Sequence, residues 1–377
     1  MGKGIEMKSN SSSPLAFLAQ RGRFRCVRVP SPFVGHWCQR GESYSRFASH
    51  EKSNPRGQRE RLTPRCKNQG ANASHSPPYN DIMSATVPHL DVVTDVPHLP
   101  PRPPDSNKGT FGKVLVVSGS RGMSGAAVLC ASAALRGGAG LVRLAVPEGI
   151  LNIVASANPC YTTAPLPQDE QGRLRVSALP EVLDLVRDNS VAALGPGLGQ
   201  SAHLGDMIVS ILEQTSTPLA LDADGLNVLV GRLGALGKHR APVVITPHPG
   251  EFSRLLGCDV SAVQANRQEL AADFARTHSV VVVLKGYGTV VTDGRRVYTN
   301  KTGNPGMATG GTGDVLCGLI AALLAQKLET FAAAQLGVYL HGRAGDLARQ
   351  RLGEASLIAS DLLDFLPRAF QRHTRYV

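Results

Sequence analysis

The chain has 377 residues, 42% of them hydrophobic, enough apolar material for one large core or two small ones, and its 40 glycines with few aromatics suit an α/β protein rich in tight strand-to-helix turns. The formal charge of +11 is unevenly placed. Residues 1–82 hold 14 Lys plus Arg against 5 Asp plus Glu, which leaves +2 for the other 295 and argues against a basic nucleic-acid-binding stripe on the folded part.

No apolar run reaches membrane-spanning length, because the longest, residues 315–325, has eleven members. Seven cysteines show no CxxC or paired zinc spacing, and Cys130 and Cys317 fall in apolar helical stretches as small core residues. A reducing compartment follows, and the cytoplasm is the expected location.

Residues 1–82 are rich in Ser, Arg, Pro and Gly and lack periodicity, so they read as a disordered basic extension. They suit an upstream start that is not the natural one, with Met83 opening the natural protein, or an Arg- and Ser-rich organelle transit peptide. Residues 83–107, with VPHLPPRPPDSN, read as a Pro-rich extended lead-in, and residues 108–373 as the folded domain.

The domain opens with KVLVVS at 113–118, a continuous apolar run that suits a strand buried on both faces. A glycine turn at 119–125, a helix at 126–136 and a strand at 140–146 complete a βαβ unit. Further strands are expected at 191–194, 219–222, 243–245 and 280–284, with a hairpin 289–291/296–298 turning on Asp293-Gly294. Helices are expected near 148–155, 178–188, 203–214, 225–231, 250–256, 262–278, 315–327, 330–350 and 356–371. Strands alternating with helices imply a three-layer α/β/α sandwich: one mostly parallel sheet with helices on both faces.

Polar or glycine segments follow several of these strands, which places them on one edge of the sheet, where open α/β sheets bind ligands. Residues 195–199, GPGLG, allow close approach of a ligand to backbone. Residues 221–227, LDADGLN, offer two carboxylates and an amide that can hold Mg²⁺ through water, although Asp224 equally suits a helix cap. In TPHPGE at 246–251, two prolines and a glycine stiffen a loop around His248. Lys285 ends the apolar strand VVVVLKG and suits a nucleotide phosphate as a point charge, or simple solvation of a strand end.

The richest stretch is GNPGMATGGTGDV at 303–315, a glycine loop feeding a helix. Unpaired N–H groups and the macrodipole make such a helix start an anion site, with Gly311, Thr312 and Gly313 as its amides. Asp314 stands at its rim, able to take a proton from a hydroxyl attacking phosphorus, or merely to cap the helix. There is no GxxxxGK[ST] and no GxGxxG with a downstream acid, so neither a P-loop nor a Rossmann cofactor site is supported.

Taken in order, KGTFGKVLVVSGS, GMSGAA, GPGLG, LDADGLN, ITPHPGE, VVLKG and GNPGMATGGTGDVL resemble the ribokinase-like NAD(P)H-hydrate dehydratase family over about residues 108–372. The resemblance implies a ribokinase-like fold and repair of hydrated nicotinamide coenzyme, (6S)-NAD(P)HX, to NAD(P)H at the expense of a nucleoside phosphate. It implies Asp314 as the base, Ala126, Gly199, His248 and Asp314 as NAD(P)HX contacts, and Lys285, Gly286, Tyr287, Gly288, Thr289 and Gly313 as nucleotide contacts. The TPHPGE and GGTGD forms look like the branch that uses ADP in preference to ATP, with Mg²⁺. A homotetramer is implied, as is a separate NAD(P)HX epimerase, since the residues before the domain cannot hold one. The rival reading is a kinase of the same fold that phosphorylates a hydroxymethyl group on a small heterocycle; a nucleic-acid or membrane-surface role through residues 1–82 is a second.

Overall fold

The computed structural model describes residues 89–373, and the expectations for residues 1–82 and for the first part of the lead-in lie outside them. Ten strands among the described residues form one sheet in the order β1-β10-β9-β8-β7-β6-β5-β2-β3-β4. The strands are β1 (Asp91–Val92), β2 (Lys113–Val117), β3 (Leu141–Pro147), β4 (Thr162–Leu166), β5 (Val191–Leu194), β6 (Leu219–Leu221), β7 (Val243–Ile245), β8 (Val281–Leu284), β9 (Val290–Thr292) and β10 (Arg296–Thr299). From β4 through β8 all neighbours are parallel; β9 runs antiparallel to both β8 and β10.

The helices are α1 (Ser124–Arg136), α2 (Leu151–Ala157), α3 (Leu179–Arg187), α4 (Ala202–Gln214), α5 (Asp224–Asn227), α6 (Pro249–Leu256), α7 (Val260–Ala265), α8 (Arg267–His278), α9 (Thr312–Ala325), α10 (Thr330–Leu352) and α11 (Ala359–His373). Side-chain alternation along β2 divides the core into two layers. Val114 and Val116 pack with α1, α2, α9, α10 and α11, whereas Leu115 and Val117 pack with α3, α4, α6, α7 and α8. Burial on both faces is why these strands are apolar at every position instead of every second one. Cys130 and Cys317 are both fully buried in the first layer.

Besides β1, three elements depart from the sequence reading. Strand β4 carries Pro165 and is half polar, which its place at the sheet edge permits, because an edge strand need not donate from every residue. The helix expected at 262–278 is two helices, broken at Asn266 (φ −132°, ψ 46°). The helix expected at 225–231 is the short α5 alone.

The lead-in is more than a spacer. Asp91–Val92 add a parallel strand to β10, Gln335 donates to the Asp95 carbonyl at 2.8 Å, and Arg102 donates to the Gly138 carbonyl at 2.7 Å. No helix among the described residues is long and apolar enough to cross a membrane.

The strand order reverses between β2 and β5. From β2 the chain moves outward to β3 and β4, then returns to β5 and moves the other way through β6, β7 and β8. A crevice opens outside the carboxyl ends of strands at such a point.

Candidate active site

The loops at the carboxyl ends of β2, β5, β6, β7 and β8 are stitched to one another by hydrogen bonds. The Ser118 and Ser120 hydroxyls donate to the carbonyls of Pro196 (2.5 Å) and Gly197 (2.8 Å), which seats GPGLG against the turn before α1. A Cβ on Gly197 would lie 3.0 Å from that of Ala126, so the two loops meet at the β2/β5 crevice. The Gly199 N–H donates to Asp224 at 2.8 Å. At Gly195 a side chain would overlap the Asp222 carbonyl, so only glycine lets β5 pass its neighbour here.

Asp222 and Asp224 flank a strained turn. Ala223 has φ 50°, ψ −118°, and the Gly225 N–H donates to the Asp222 carbonyl at 3.0 Å, the geometry of a type II′ turn with alanine where glycine is normal. The turn sends Asp224 toward Gly199 and Asp222 toward Lys285. The Lys285 ammonium is 2.7 Å from an Asp222 oxygen and 3.8 Å from Glu251, and Asp222 and Glu251 are almost fully buried. Burial opposes the charge on Lys285, but the two carboxylates outweigh it and hold the ammonium above the usual lysine range. Lys285 is therefore a neutralised, built-in group and not a lone point charge at a strand end.

Glu251 also closes a capping box. The His248 N–H donates to its carboxylate at 2.8 Å, while His248 Nδ1 accepts from the N–H groups of Gly250 (3.0 Å) and Glu251 (3.3 Å). Two donors at Nδ1 leave the proton of the neutral ring on Nε2. Partial burial holds this imidazole below the ordinary histidine value against the opposing charge of Glu251, with Lys285 and Arg254 adding to the lowering. The ring itself remains exposed at the surface of the loop.

Helix α9 begins at Gly311 with no side-chain cap, and Asp314 lies in its first turn. The capping alternative for Asp314 thus finds no counterpart, since the cap position belongs to Gly311. Above the pair, a Cβ on Gly313 would stand 3.1 Å from the Lys285 ammonium and 3.6 Å from Asp222, so the start of α9 packs directly over it. Burial pushes the Asp314 carboxyl up to about 7, and the Asp222 charge adds to the effect. His341, on α10, lies 2.9 Å from the Thr312 carbonyl and braces the first turn; burial pushes it down to about 4, so it is a neutral N–H donor.

A cavity of about 670 Å³, well inside the roughly 300–1,000 Å³ range of small-molecule sites, is lined by Lys285–Thr289 and by Thr312 and Gly313. Tyr287 at its lip is fully exposed. Residues 299–305, Met307, Ala308, Leu316, Val338, His341 and Gly342 complete the wall. The structure thus gathers the expected nucleotide contacts in one cavity, and brings the Ala126 and Gly199 loops together at the crevice. Asp314, Ala126, Gly199, His248 and Gly311 do not line that cavity. Glu251 and His341 escaped the sequence reading as site residues, and Asp222, read there as one of two carboxylates able to hold Mg²⁺ through water, is paired with Lys285; that Asp222 and Glu251 share this partner was not visible in the sequence.

No group of three or more His, Cys, Asp or Glu side chains capable of holding a metal occurs among the described residues. Asp222 is engaged by Lys285, and Asp224 by Gly199 and Gln200. The donor set fits a Mg²⁺ held by nucleotide phosphates and water, with carboxylates behind the water, rather than a protein cage.

Comparison with known proteins agrees with this architecture. The sequence pattern of the NAD(P)H-hydrate dehydratase family matches residues 114–368. The chain is 46% identical over 271 residues to the bifunctional NAD(P)H-hydrate repair enzyme Nnr of Moorella thermoacetica, covering 71% of this chain and 51% of that protein. It spans about half the length of the curated relatives it matches. Among solved structures it is similar to the ADP/ATP-dependent NAD(P)H-hydrate dehydratase of Bacillus subtilis, co-crystallised with ATP and Mg²⁺ (33% identity, TM-score 0.64, 74% of this chain and 95% of that one). A ribokinase-like superfamily protein from Enterococcus faecalis is also similar, at 26% identity and TM-score 0.64 over 76% of this chain and 97% of that one. The fold is ribokinase-like, and the chain belongs to the NAD(P)H-hydrate dehydratase family.

Proposed function

We propose that the protein returns (6S)-NAD(P)HX to NAD(P)H with conversion of ADP to AMP and phosphate. The observation that carries this reading is the placement of Asp314: a half-buried carboxyl pushed up to about 7, in the first turn of an uncapped, glycine-flanked helix beside the cavity. A group poised near neutrality is suited to take up a proton at working pH.

In this mechanism Asp314 accepts the proton of the C6 hydroxyl as its oxygen bonds to the terminal phosphorus, and the bond to AMP breaks. The N–H groups of Thr312 and Gly313 stabilise the charge on the transferring phosphoryl group. The C6 phosphate ester then departs, driven by the ring nitrogen lone pair, and loss of the C5 proton leaves the reduced nicotinamide. Mg²⁺, when bound to the nucleotide phosphates, supplies charge neutralisation. Asp222 and Asp224 are the carboxylates that would face it through water. The coenzyme contacts are Ala126, Gly199 and His248, and the nucleotide contacts are Lys285–Thr289 with Gly313. A partner activity that interconverts the C6 epimers supplies the S form, and a homotetramer is the proposed assembly.

Incubation of purified protein with (6S)-NADHX, ADP and Mg²⁺ tests the reading through the absorbance of the reduced ring. Recovery of NADH with one AMP per turnover is expected. Absence of recovery would discard the repair reading, and a stable phosphorylated heterocycle as product would assign the site to a small-molecule kinase. Parallel assays with ATP decide the nucleotide.

A further inference from the structure

We infer that Arg267 is a positioning residue for the nucleotide: its guanidinium is seated without an acidic partner beneath the loop that follows β8, and the diphosphate of bound ADP supplies the missing negative charge. This rests on the nucleotide reading of the cavity given above.

Arg267 occupies a place that costs stability in several ways. The break at Asn266 makes it the first residue of α8, where a cation opposes the helix macrodipole. Its Nε is buried without an acceptor. Among the described residues no carboxylate is set against it, and burial alone draws the guanidinium below the ordinary arginine value. A neutral side chain would avoid each of these penalties.

What the guanidinium does hold is the backbone of the nucleotide loop. One terminal nitrogen donates to the carbonyls of Leu284 (2.8 Å) and Lys285 (3.1 Å), and the other to Gln264 (3.0 Å). A Cβ on Gly286 would lie 3.4 Å from the guanidinium, so the group presses on the underside of the loop that lines the cavity. Lys285 is thereby held at three points: its N–H by the Pro247 carbonyl (2.9 Å), its ammonium by Asp222 (2.7 Å) and its carbonyl by Arg267.

Charge balance gives the second half of the argument. The Lys285 ammonium is already offset by Asp222 and Glu251, and Asp314 adds a further carboxylate nearby. That cluster alone repels a diphosphate. Among the described residues Arg267 has no carboxylate of its own, and its guanidinium would lie 3.4 Å from a Cβ on Gly286, a residue of the cavity wall. In a low-dielectric setting such a charge acts strongly on an anion bound on the other side.

Calorimetric titration of ADP and of adenosine into wild type, Arg267→Met and Arg267→Lys, with steady-state kinetics and melting curves, tests the proposal. Arg267→Met is expected to weaken ADP binding on the order of 10- to 100-fold, the scale of a lost charge-assisted contact, with adenosine binding nearly unchanged. The KM for ADP should rise in step while kcat at saturating ADP stays within about 3-fold. Arg267→Lys should recover part of the ADP affinity, and the Met variant, which loses the bonds to the Leu284 and Lys285 carbonyls, should still fold cooperatively, with its binding loss confined to ADP. Unchanged ADP affinity in Arg267→Met overturns the inference. So does an equal loss for ADP and adenosine with a lowered melting temperature, which would mark Arg267 as a brace of the fold alone. Wild-type protein that binds no ADP would instead refute the nucleotide reading itself.

Discussion

Lys285 and Asp222, 63 residues apart in the chain, form a 2.7 Å ion pair at the carboxyl ends of two strands, with Gly313 of α9 packed directly over it. Asp222→Ala would remove the nearer counter-charge and leave the ammonium with Glu251, 3.8 Å away, as its remaining carboxylate. A loss of about 3–5 kcal/mol is expected from chemical denaturation, the usual result of removing one member of a buried pair. The double variant Asp222→Ala/Lys285→Met should recover a large share of it. A single variant as stable as wild type would show the pair to be dispensable.

Asp314→Asn keeps the shape of the first turn of α9 and removes the base. Turnover should fall about 10²- to 10⁴-fold, the range for loss of a general base, while ADP affinity is retained. Full activity in the Asn variant would place the base elsewhere.

The same substitution should alter stability in a pH-dependent way. The Asp314 carboxyl, pushed up to about 7 in the fold, lies above the ordinary aspartate value of 3.8, so the folded protein retains a proton that the unfolded chain releases. Wild-type stability therefore carries a contribution that is lost as pH rises from about 4 through about 7. The Asn variant has no such loss, and its advantage in melting temperature should grow across that window and then level off. A constant difference from pH 4 to pH 8 would contradict the raised pKa.

Activity should move in the opposite direction with pH. A base must be deprotonated to act, so kcat/KM is expected to rise with pH up to about 7 and then flatten. Because the Asp222 charge adds to the upward shift, Asp222→Asn, where it folds, should displace the acidic limb to lower pH. A limb that stays in place would remove Asp222 from the electrostatics of Asp314.

Ala223 adopts φ 50°, ψ −118°, at the turn that aims Asp222 and Asp224. A non-glycine residue in this region costs roughly 1–3 kcal/mol, partly offset on replacement by the greater unfolded-state freedom of glycine. Ala223→Gly is expected to stabilise the protein by about 1 kcal/mol in urea denaturation with kcat within about 2-fold. A loss of stability would mean that the turn is not strained.

Local pattern was sufficient for much of this molecule. Unbroken apolar runs such as 113–118 marked strands buried on both faces, helical periodicity separated them, and the glycine and proline loops after each strand fell on one edge because parallel crossovers leave no other place for them. Strand β4 and the two residues of β1 were illegible, since an edge strand with one proline, or two residues borrowed by a neighbour, carries no period of its own. The roles inside the site depended on the assembled fold. Nothing near Lys285 in the chain reveals that Asp222 neutralises it, nothing near Arg267 reveals that it grips the Leu284 and Lys285 carbonyls, and nothing near Thr312 reveals His341. Hydrophobic period is a property of adjacent residues, whereas ion pairing, burial and the pKa of Asp314 are set by crossovers that bring distant segments within a few ångströms.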